Sequence, residues 1–398
     1  MSSKGSSVGN PFALASPRSA YVHVPFCASR CTYCDFYTCQ VRKDDFQVFE
    51  QAIIEEIRQA RENALCQFSK LDKLETLYFG GGTPSFLPLS VLYNILREID
   101  LCFSLASDCE ISLEANPAKN LPAKLPSLFS MGFNRLSMGL QSADNQLLKK
   151  LGRIHTHKDF LHSLEAAISA GFENISTDLI FGIPGQKLDS FLEEASELLA
   201  LPISHLSYYS MQFEKGTPLG DYCLAHPEVL PGEEEERAMY KGLRSLLKEE
   251  SFVTYEISNA AKAGKASKHN LVYWNAKPYY AFGPSAASYI GGQREHRIED
   301  LDLWASKVLS ADPSYLILDE TIDGDEARAE YMMLRLRLEE GLIFSDYQAL
   351  FCEDARERFS KELAELEQRG LIQVSGEKLV LTELGLDLEN QVSMAFLS

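Results

Sequence analysis

Residues 27–34 read Cys27-Ala28-Ser29-Arg30-Cys31-Thr32-Tyr33-Cys34, and this stretch decides both the fold and the chemistry expected of the chain. Cysteine thiolates are the usual ligands of iron–sulfur clusters. Three of them at this spacing predict a 4Fe-4S cluster whose fourth iron has no protein ligand. Such an iron is a Lewis acid that the amine and carboxylate of a small molecule can occupy.

Zinc is the alternative metal, because thiolates suit both zinc and iron. A structural zinc site needs four ligands, commonly as two pairs of cysteines, and the sequence after Cys34 offers only Cys39 nearby. The spacing therefore favours the cluster. The remaining cysteines match no metal-site spacing and are predicted to be ordinary packed thiols: Cys66, Cys102, Cys109, Cys223 and Cys352.

Length and composition indicate a globular protein of two or three domains, with 398 residues of which 45% are hydrophobic and 24% charged. Nine cysteines, an odd number, argue against a disulfide framework. The first twenty residues contain no apolar run long enough for a signal peptide, and no stretch approaches the length of a membrane span. A cytoplasmic location is the expectation.

The formal net charge of −19 bears on the partners. Nucleic-acid binding draws most of its affinity from Lys and Arg on phosphates, and the sequence has no long basic run to overcome this background. No nucleic-acid partner is therefore expected. The acidic run at 233–236 is interpreted as the first turn of a helix, where carboxylates suit the helix dipole.

Strand-like and helix-like segments alternate through the first half of the chain. Strands are expected at 21–24, 74–79, 109–113, 135–138, 176–180 and 205–209, and helices at 45–61, 91–99, 121–131, 158–170 and 188–200. Repeated units of this kind predict parallel strands in a β/α barrel or a doubly wound sheet. Six units favour a partial barrel.

Residues with unusual chemistry follow the predicted strands within a few positions. They are Cys27, Gly80 to Thr83, Glu114, Gln141 and Asp178. Functional residues of β/α barrels gather at the carboxyl ends of the strands. This shared placement is stronger support for one site than any single motif.

The organisation along the chain is predicted as four parts. Residues 1–18 form a disordered tail, 19–225 the barrel, 226–325 a linking α+β segment, and 326–398 a small winged-helix-like domain of helices followed by a hairpin. That last part has more acidic than basic residues. It is therefore interpreted as a packing or lid module rather than a DNA-binding one.

Four stretches together resemble a known family: YVHVPFC at 21–27, YFGGGTPS at 78–85, NRLSMGLQS at 134–142 and DLIFGIPGQ at 178–186. They are similar to the radical S-adenosylmethionine (SAM) superfamily and, within it, to the family containing oxygen-independent coproporphyrinogen III dehydrogenase (HemN) and the haem chaperone HemW. The resemblance runs from about Tyr21 into the last domain. It implies a partial (β/α)6 barrel in which Cys27, Cys31 and Cys34 hold the cluster and SAM chelates the open iron.

The resemblance also implies which residues contact SAM. They are Tyr21, Tyr33, Gly81, Gly82, Thr83, Glu114, Gln141, Arg153 and Asp178. Gln141, Arg153 and Asp178 match positions that include those holding a second SAM in the dehydrogenase. Arg153 and Asp178 could instead form ordinary salt bridges.

Residues 269–274, HNLVYW, match the family's haem-associated motif and make His269, Asn270, Tyr273 and Trp274 candidate haem contacts. An imidazole can ligate haem iron, and aromatic rings offer flat apolar surface to a porphyrin. A hydrogen-bonded core histidine is the alternative. The family commonly has another histidine where this chain has Ala287.

Phe36 separates the two members of the family, since the dehydrogenase pattern has a fourth cysteine there and the HemW pattern does not. The leading hypothesis is a haem chaperone that passes haem to an acceptor protein, with an electron donor such as a flavodoxin or ferredoxin. The alternative is a dehydrogenase that decarboxylates the propionates of a porphyrinogen. A tRNA-modifying radical SAM enzyme is a third reading, against which the acidic balance argues.

Overall fold

A computed structural model of the chain describes residues 10–397, and its first half is a series of six β/α units. The strands are β1 (Ser19–Val24), β2 (Leu74–Gly81), β3 (Leu105–Ala115), β4 (Arg135–Gln141), β5 (Asn174–Phe181) and β6 (His205–Ser210). The helices are α1 (Asp45–Gln67), α2 (Leu89–Phe103), α3 (Leu121–Ser130), α4 (Asn145–Lys150), α5 (His157–Ala170) and α6 (Leu188–Leu199).

The six strands lie side by side in chain order, and each pairs in parallel with the next. Every predicted strand and helix of this half is present. The partial (β/α)6 barrel expected from the sequence is thereby confirmed. Because the strands are parallel, their carboxyl ends meet at one edge of the sheet.

Helix α5 illustrates how the local sequence sets the ends of these elements. Thr156 and Asp159 form a capping box at its start, each side chain accepting a hydrogen bond from the other's backbone N–H. Gly171 ends it in the left-handed conformation, with φ of 107°. The buried face between them includes Phe160, Leu164 and Ala167, at helical spacing.

The next part of the chain extends the barrel sheet at both sides. It contains α7 (Pro218–Ala225), α8 (Glu233–Glu249), β7 (Val253–Glu256), β8 (Asn259–Ala261), α9 (Lys268–Trp274), β9 (Tyr280–Phe282), β10 (Ala287–Ile290), β11 (Gln293–Arg297), α10 (Leu301–Leu309) and β12 (Leu316–Thr321). Strand β9 pairs in parallel with β1, whereas β8 pairs antiparallel with β6 and β7 with β8. The acidic run at 233–236 forms the first turn of α8, as predicted. Strands β10, β11 and β12 form a separate antiparallel sheet that the sequence did not predict.

The C-terminal part has the helices and hairpin that the winged-helix interpretation requires. Its elements are α11 (Gly324–Leu336), β13 (Leu342–Ile343), α12 (Phe344–Phe351), α13 (Ala355–Arg358), α14 (Ser360–Gln368), β14 (Ile372–Ser375), β15 (Lys378–Leu381), α15 (Glu383–Asp387) and α16 (Glu389–Phe396). Strands β14 and β15 form the hairpin, and β13 pairs with β15. The hydrophobic core of this part also includes Ala276 and Tyr289 from the preceding segment, so packing crosses the predicted boundary at 325/326.

The predicted disordered tail includes residues that the structure places in specific contacts. Residues 1–9 lie outside the described residues. The side-chain amide of Asn10, which is buried, donates to the hydroxyl of Tyr289 at 2.6 Å and to the carbonyl of Ile322 at 2.8 Å. Residue 10 is therefore anchored rather than disordered, because these two long-range partners satisfy its polar groups. Among the helices of residues 10–397, none combines the length and apolar character that crossing a membrane requires.

Candidate functional site

The cysteine loop follows β1 directly and is fixed by two neighbouring helices. The backbone N–H of Thr32 donates to the carbonyl of Leu151 at 3.1 Å, just after α4, and its carbonyl accepts from the N–H of Leu219 in α7 at 2.8 Å. The Thr32 hydroxyl also donates to the carbonyl of Lys150. These bonds hold the loop over the carboxyl ends of the barrel strands.

A chain of side-chain hydrogen bonds joins two of the three predicted cluster ligands. The sulfur of Cys27 lies 3.4 Å from the hydroxyl of Thr83, which accepts from Asn116 Nδ2 at 2.8 Å. Asn116 Oδ1 accepts from Arg153 Nη2 at 2.5 Å, and Arg153 Nη1 donates to the sulfur of Cys31 at 3.4 Å. This series of hydrogen bonds thus connects the cysteine loop with the residues that follow β2 and β3.

The thiols themselves are partly buried. Burial raises the pKa of Cys27 and of Cys34 above the ordinary value for a thiol. Metal ions reverse this effect, because a coordinating thiol is deprotonated outright. Binding of iron is therefore expected to release protons from these side chains.

One cavity of about 570 Å³ opens beside the loop and brings most of the predicted site residues together. Twelve of the sixteen candidates line it: Cys27, Cys31, Tyr33, Cys34, Gly81, Gly82, Thr83, Glu114, Gln141, Arg153, Asp178 and Asn270. The four that do not are Tyr21, His269, Tyr273 and Trp274.

Two half-buried carboxylates face this cavity. Burial and the nearby charge of Asp178 raise the pKa of Glu114 to about 7, and the hydroxyl of Tyr78 donates to Glu114 Oε1 at 2.9 Å. Burial raises the pKa of Asp178 to about 6. Both groups can therefore accept hydrogen bonds from ligand hydroxyls or pair with an ammonium group near neutral pH.

The backbone beside the cavity is tightly constrained at two positions. A Cβ atom on Gly82 would lie 2.8 Å from the carbonyl of Phe26 and 3.1 Å from the sulfur of Cys27. Gln141 adopts a left-handed φ of 73°, uncommon for a residue other than glycine, and its buried Oε1 has no hydrogen-bond partner among the described residues. Strained residues of this kind concentrate at ligand sites.

These features fit a 4Fe-4S cluster with SAM. In a four-iron cluster each thiolate binds a different iron, so the sulfurs stand further apart than the ligands of one ion. In residues 10–397, no group of three His, Cys, Asp or Glu side chains is placed to hold a single metal ion. The cluster and an amino-acid ligand would find complementary neighbours in the guanidinium of Arg153 on Cys31 and in Gln141 Oε1, which has no partner among the described residues.

The two tyrosines predicted beside SAM occupy different positions. Tyr33 lines the cavity. Tyr21 packs behind it, with its hydroxyl 3.2 Å from His23 Nδ1 and its ring stacked on that of Tyr78 at 6.2 Å between centroids. Tyr78 lines the cavity in its place. A direct contact of Tyr21 with a ligand in this cavity is therefore not supported by its position.

The candidate haem residues lie on α9, and the structure leaves little of them free. His269 is 1% exposed; its Nδ1 lies 2.8 Å from the hydroxyl of Thr76 and its Nε2 lies 2.8 Å from the hydroxyl of Tyr273. Burial lowers the pKa of His269 to about 3. With both nitrogens occupied, His269 has no free position for iron, which matches the core-histidine alternative. Trp274 lies under the guanidinium of Arg337 at 4.7 Å, and Asn270 alone of the four lines the cavity.

Several cavity residues were missed by the sequence analysis, notably Tyr78, Asn116, Arg135, Ser207 and Tyr209. Asn116 comes just after the carboxyl end of β3, and Tyr78 and Tyr209 lie near the carboxyl ends of β2 and β6. Their position at the strand ends would have identified these three, whereas Ser207 lies in the middle of β6. Arg135 begins β4 instead, and nothing in its sequence position signals a cavity residue.

Comparison with known proteins agrees with this geometry. The model of the radical SAM superfamily matches residues 21–198, and that of the HemN C-terminal domain matches residues 322–388. A Bacillus subtilis protein named heme chaperone HemW is 35% identical over 381 residues, covering 96% of this chain and 99% of that protein. A Lactococcus lactis protein of the same name is 31% identical over 385 residues, covering 96% and 98%.

The solved structure of Escherichia coli HemN, titled as coproporphyrinogen III oxidase and a radical SAM enzyme, superposes with a TM-score of 0.83 at 22% identity, covering 97% of this chain and 92% of that one. It supports the fold alone. The two relatives are similar to this chain over almost its full length, and this similarity shows the family to which the chain belongs. Membership of the radical SAM superfamily implies a 4Fe-4S cluster and SAM. The chain therefore belongs to the HemW/HemN family of the radical SAM superfamily.

Proposed function

We propose that this chain is a cytoplasmic haem chaperone that binds haem beside a SAM-bound cluster and passes it to an acceptor protein. The observation that supports the chaperone over the decarboxylase is Phe36. Its side chain lines the mouth of the cavity and is 63% exposed, where the dehydrogenase pattern has a cysteine. An exposed aromatic ring at the mouth of the cavity suits the flat face of a tetrapyrrole. The names of the two HemW relatives point the same way.

In this proposal each group of cavity residues has its own task. Cys27, Cys31 and Cys34 hold the cluster, and the backbone at Gly81 and Gly82 admits the amino-acid end of SAM. When bound, the cluster supplies an electron that splits SAM into methionine and a 5′-deoxyadenosyl radical.

The polar side chains complete the SAM site. Glu114 and Asp178 accept hydrogen bonds from the ribose of SAM. Gln141 Oε1 accepts one from an N–H or hydroxyl of the same ligand. Arg153 orients Asn116 and donates to the sulfur of Cys31.

The partners follow from the same assignment. Reduction of the cluster needs an electron donor such as a flavodoxin or ferredoxin, and release of haem needs an acceptor protein. Because His269 is enclosed, we propose that α9 presents Asn270 to the cavity while His269 fixes the helix on β2 through Thr76. Haem then lies toward the mouth, near Phe36.

The test is an anaerobic assay of the reconstituted protein with SAM and dithionite, run in parallel on haem and on coproporphyrinogen III. Stable haem absorbance that weakens in Phe36→Ala, without decarboxylated product on chromatography, is the expected result. Turnover of the porphyrinogen without stable haem binding would overturn the proposal in favour of the dehydrogenase. His269→Ala serves as a comparison. If His269 ligates the iron, this variant should have altered haem absorbance. If His269 only positions α9, the variant should bind haem with unchanged absorbance and should lose stability of α9.

A further inference from the structure

Arg135 is a buried cation whose side chain forms neither a hydrogen bond nor an ion pair within the described part of the chain. The residue is 2% exposed, and its Nε has no hydrogen-bond partner among the described residues. No hydrogen bond or ion pair within residues 10–397 involves its guanidinium. A buried charge without a partner is unfavourable, so native structures seldom contain one unless a ligand completes the site.

The position of Arg135 connects it to the functional cavity. Alternate residues of β4 line that cavity, from Arg135 through Ser137 and Gly139 to Gln141. Successive side chains of a strand point to opposite faces, so these four lie on one face along about 20 Å of strand. Arg135 thus forms the inner end of a polar stripe whose outer end is Gln141.

Polar and acidic side chains lie near Arg135 without forming a hydrogen bond or an ion pair with it. Asn259, which lines the same cavity, has a buried Oδ1 without a partner among the described residues. Glu114 and Asp178 are close enough for the charge of Arg135 to lower their pKa values, yet burial still raises those pKa values to about 7 and 6. Neither carboxylate forms an ion pair with Arg135. The N–H groups of the Arg135 guanidinium are therefore free to donate to an acceptor atom of a ligand at the inner end of the cavity.

We propose that Arg135 is a carboxylate-binding residue that receives a propionate side chain of the bound tetrapyrrole, an inference that depends on the proposed function. The planar guanidinium presents paired N–H donors that match a carboxylate bidentately. Haem and coproporphyrinogen both carry such propionates, so the assignment holds for either ligand of this family.

The test compares haem with haem dimethyl ester, in which both propionates are methylated, in the reconstituted holoprotein with SAM. Affinities are measured by absorbance titration for the wild type, Arg135→Gln and Arg30→Gln. Arg30 lines the mouth of the same cavity, so its variant controls for the loss of one guanidinium there. The wild type is expected to prefer the free acid by about tenfold to hundredfold, the value of a charged hydrogen-bonded pair. Arg135→Gln should bring this ratio close to one, and Arg30→Gln should retain it.

The outcomes separate the two claims. Equal binding of acid and ester by the wild type, or an unchanged ratio in Arg135→Gln, overturns the role of Arg135 while leaving haem binding intact. Binding of neither compound by the wild type overturns the proposed function and this inference with it. A weaker affinity for SAM in Arg135→Gln with the haem ratio unchanged would assign the guanidinium to SAM and overturn the inference. If Arg135→Gln does not retain its iron, Arg135→Lys keeps the charge without the paired donors and should give an intermediate ratio.

Discussion

Arg153 places a positive charge against one thiolate of the candidate cluster. Its Nη1 donates to the sulfur of Cys31 at 3.4 Å, while Nη2 is held by Asn116 and the carbonyl of Gly139. Hydrogen bonds to cluster sulfurs favour the reduced state and raise the reduction potential. The guanidinium therefore has an electronic effect as well as a structural one.

Arg153→Gln is predicted to lower the midpoint potential of the cluster. Loss of one charged hydrogen bond of about 1.5 kcal/mol corresponds to about 60 mV for a single electron. A redox titration followed by electron paramagnetic resonance measures this shift. Arg30→Gln is the control, because Arg30 Nη2 donates to the backbone carbonyl of Cys34 rather than to a sulfur. Equal potentials in wild type and Arg153→Gln would show that the guanidinium has no electronic role.

Gln141 combines a left-handed backbone with a side chain directed at the cavity. Gln141→Gly and Gln141→Ala both remove the amide and are expected to weaken SAM binding equally. They differ in strain, because only glycine adopts φ of 73° without a steric cost. The glycine variant should have the larger free energy of unfolding in urea, by about 1 kcal/mol. Two variants of equal stability would mean that the left-handed conformation is not strained.

Glu194 supports the turn after Gln141. Its carboxylate accepts hydrogen bonds from the backbone N–H of Ala143 and, at 3.2 Å, from the hydroxyl of Ser142. Burial raises the pKa of Glu194 to about 7, against about 4.3 for an unfolded glutamate. Between these values the folded protein binds more protons than the unfolded chain. Stability from this group is therefore present at low pH and lost as the pH rises toward 7.

Glu194→Gln removes this titration, so the variant should gain stability relative to the wild type between pH 5 and pH 8, by about 1 to 3 kcal/mol. Urea unfolding at the two pH values gives the difference directly. Glu193→Gln, on the exposed side of α6, controls for loss of one carboxylate. If the free energy of unfolding depends on pH in the same way in both variants, the raised pKa of Glu194 is wrong.

At the scale of elements, the end of β2 and the cysteine loop form one closely packed unit. Gly82→Ala would bring a methyl group 3.1 Å from the sulfur of Cys27 and 2.8 Å from the carbonyl of Phe26. The loop must then move, and the variant is predicted to retain less than half of the wild-type iron after anaerobic reconstitution. Gly232→Ala is the control, since a Cβ there meets no atom of the described residues within 4 Å. Full iron content in Gly82→Ala would contradict this packing argument.

The barrel strands and the cysteine loop show which parts of the fold and of the site could be predicted from the sequence. The strands β1 to β6 and the cysteine loop follow from periodicity and spacing, because parallel strands place their carboxyl ends together whatever the details of packing. Asn116 and Tyr78 also lie at those ends, so position alone would have identified them. Arg135 could not be found in this way, because its proposed role depends on the length of its side chain inside the barrel and on the lack of a hydrogen-bond or ion-pair partner among the described residues. The enclosure of His269 depends on the contact of α9 with Thr76, which is 193 residues away in the chain.

At the scale of the whole molecule, the C-terminal part is attached to α9 rather than only to its own core. Arg335, buried on α11, donates from Nη1 to Asn275 Oδ1 at 2.5 Å and from Nη2 to the carbonyl of Gly341 at 3.0 Å. Asn275 caps the carboxyl end of α9, the helix with the candidate haem motif. The two parts should consequently unfold together, and a substitution on α11 should also change the stability of α9.

Arg335→Ala is predicted to lower the free energy of unfolding by about 1 to 3 kcal/mol, because Asn275 and the carbonyl of Gly341 lose buried hydrogen bonds. It should also speed tryptic cleavage of the C-terminal part while iron content stays at the wild-type level, since the cluster loop lies on the barrel. Arg356→Ala is the matched control, because Arg356 bonds to Asp354 at the surface of the same part and exposed ion pairs contribute little. Urea unfolding and limited trypsinolysis measure both effects. Loss of iron in Arg335→Ala would instead mean that the C-terminal part supports the cluster loop itself.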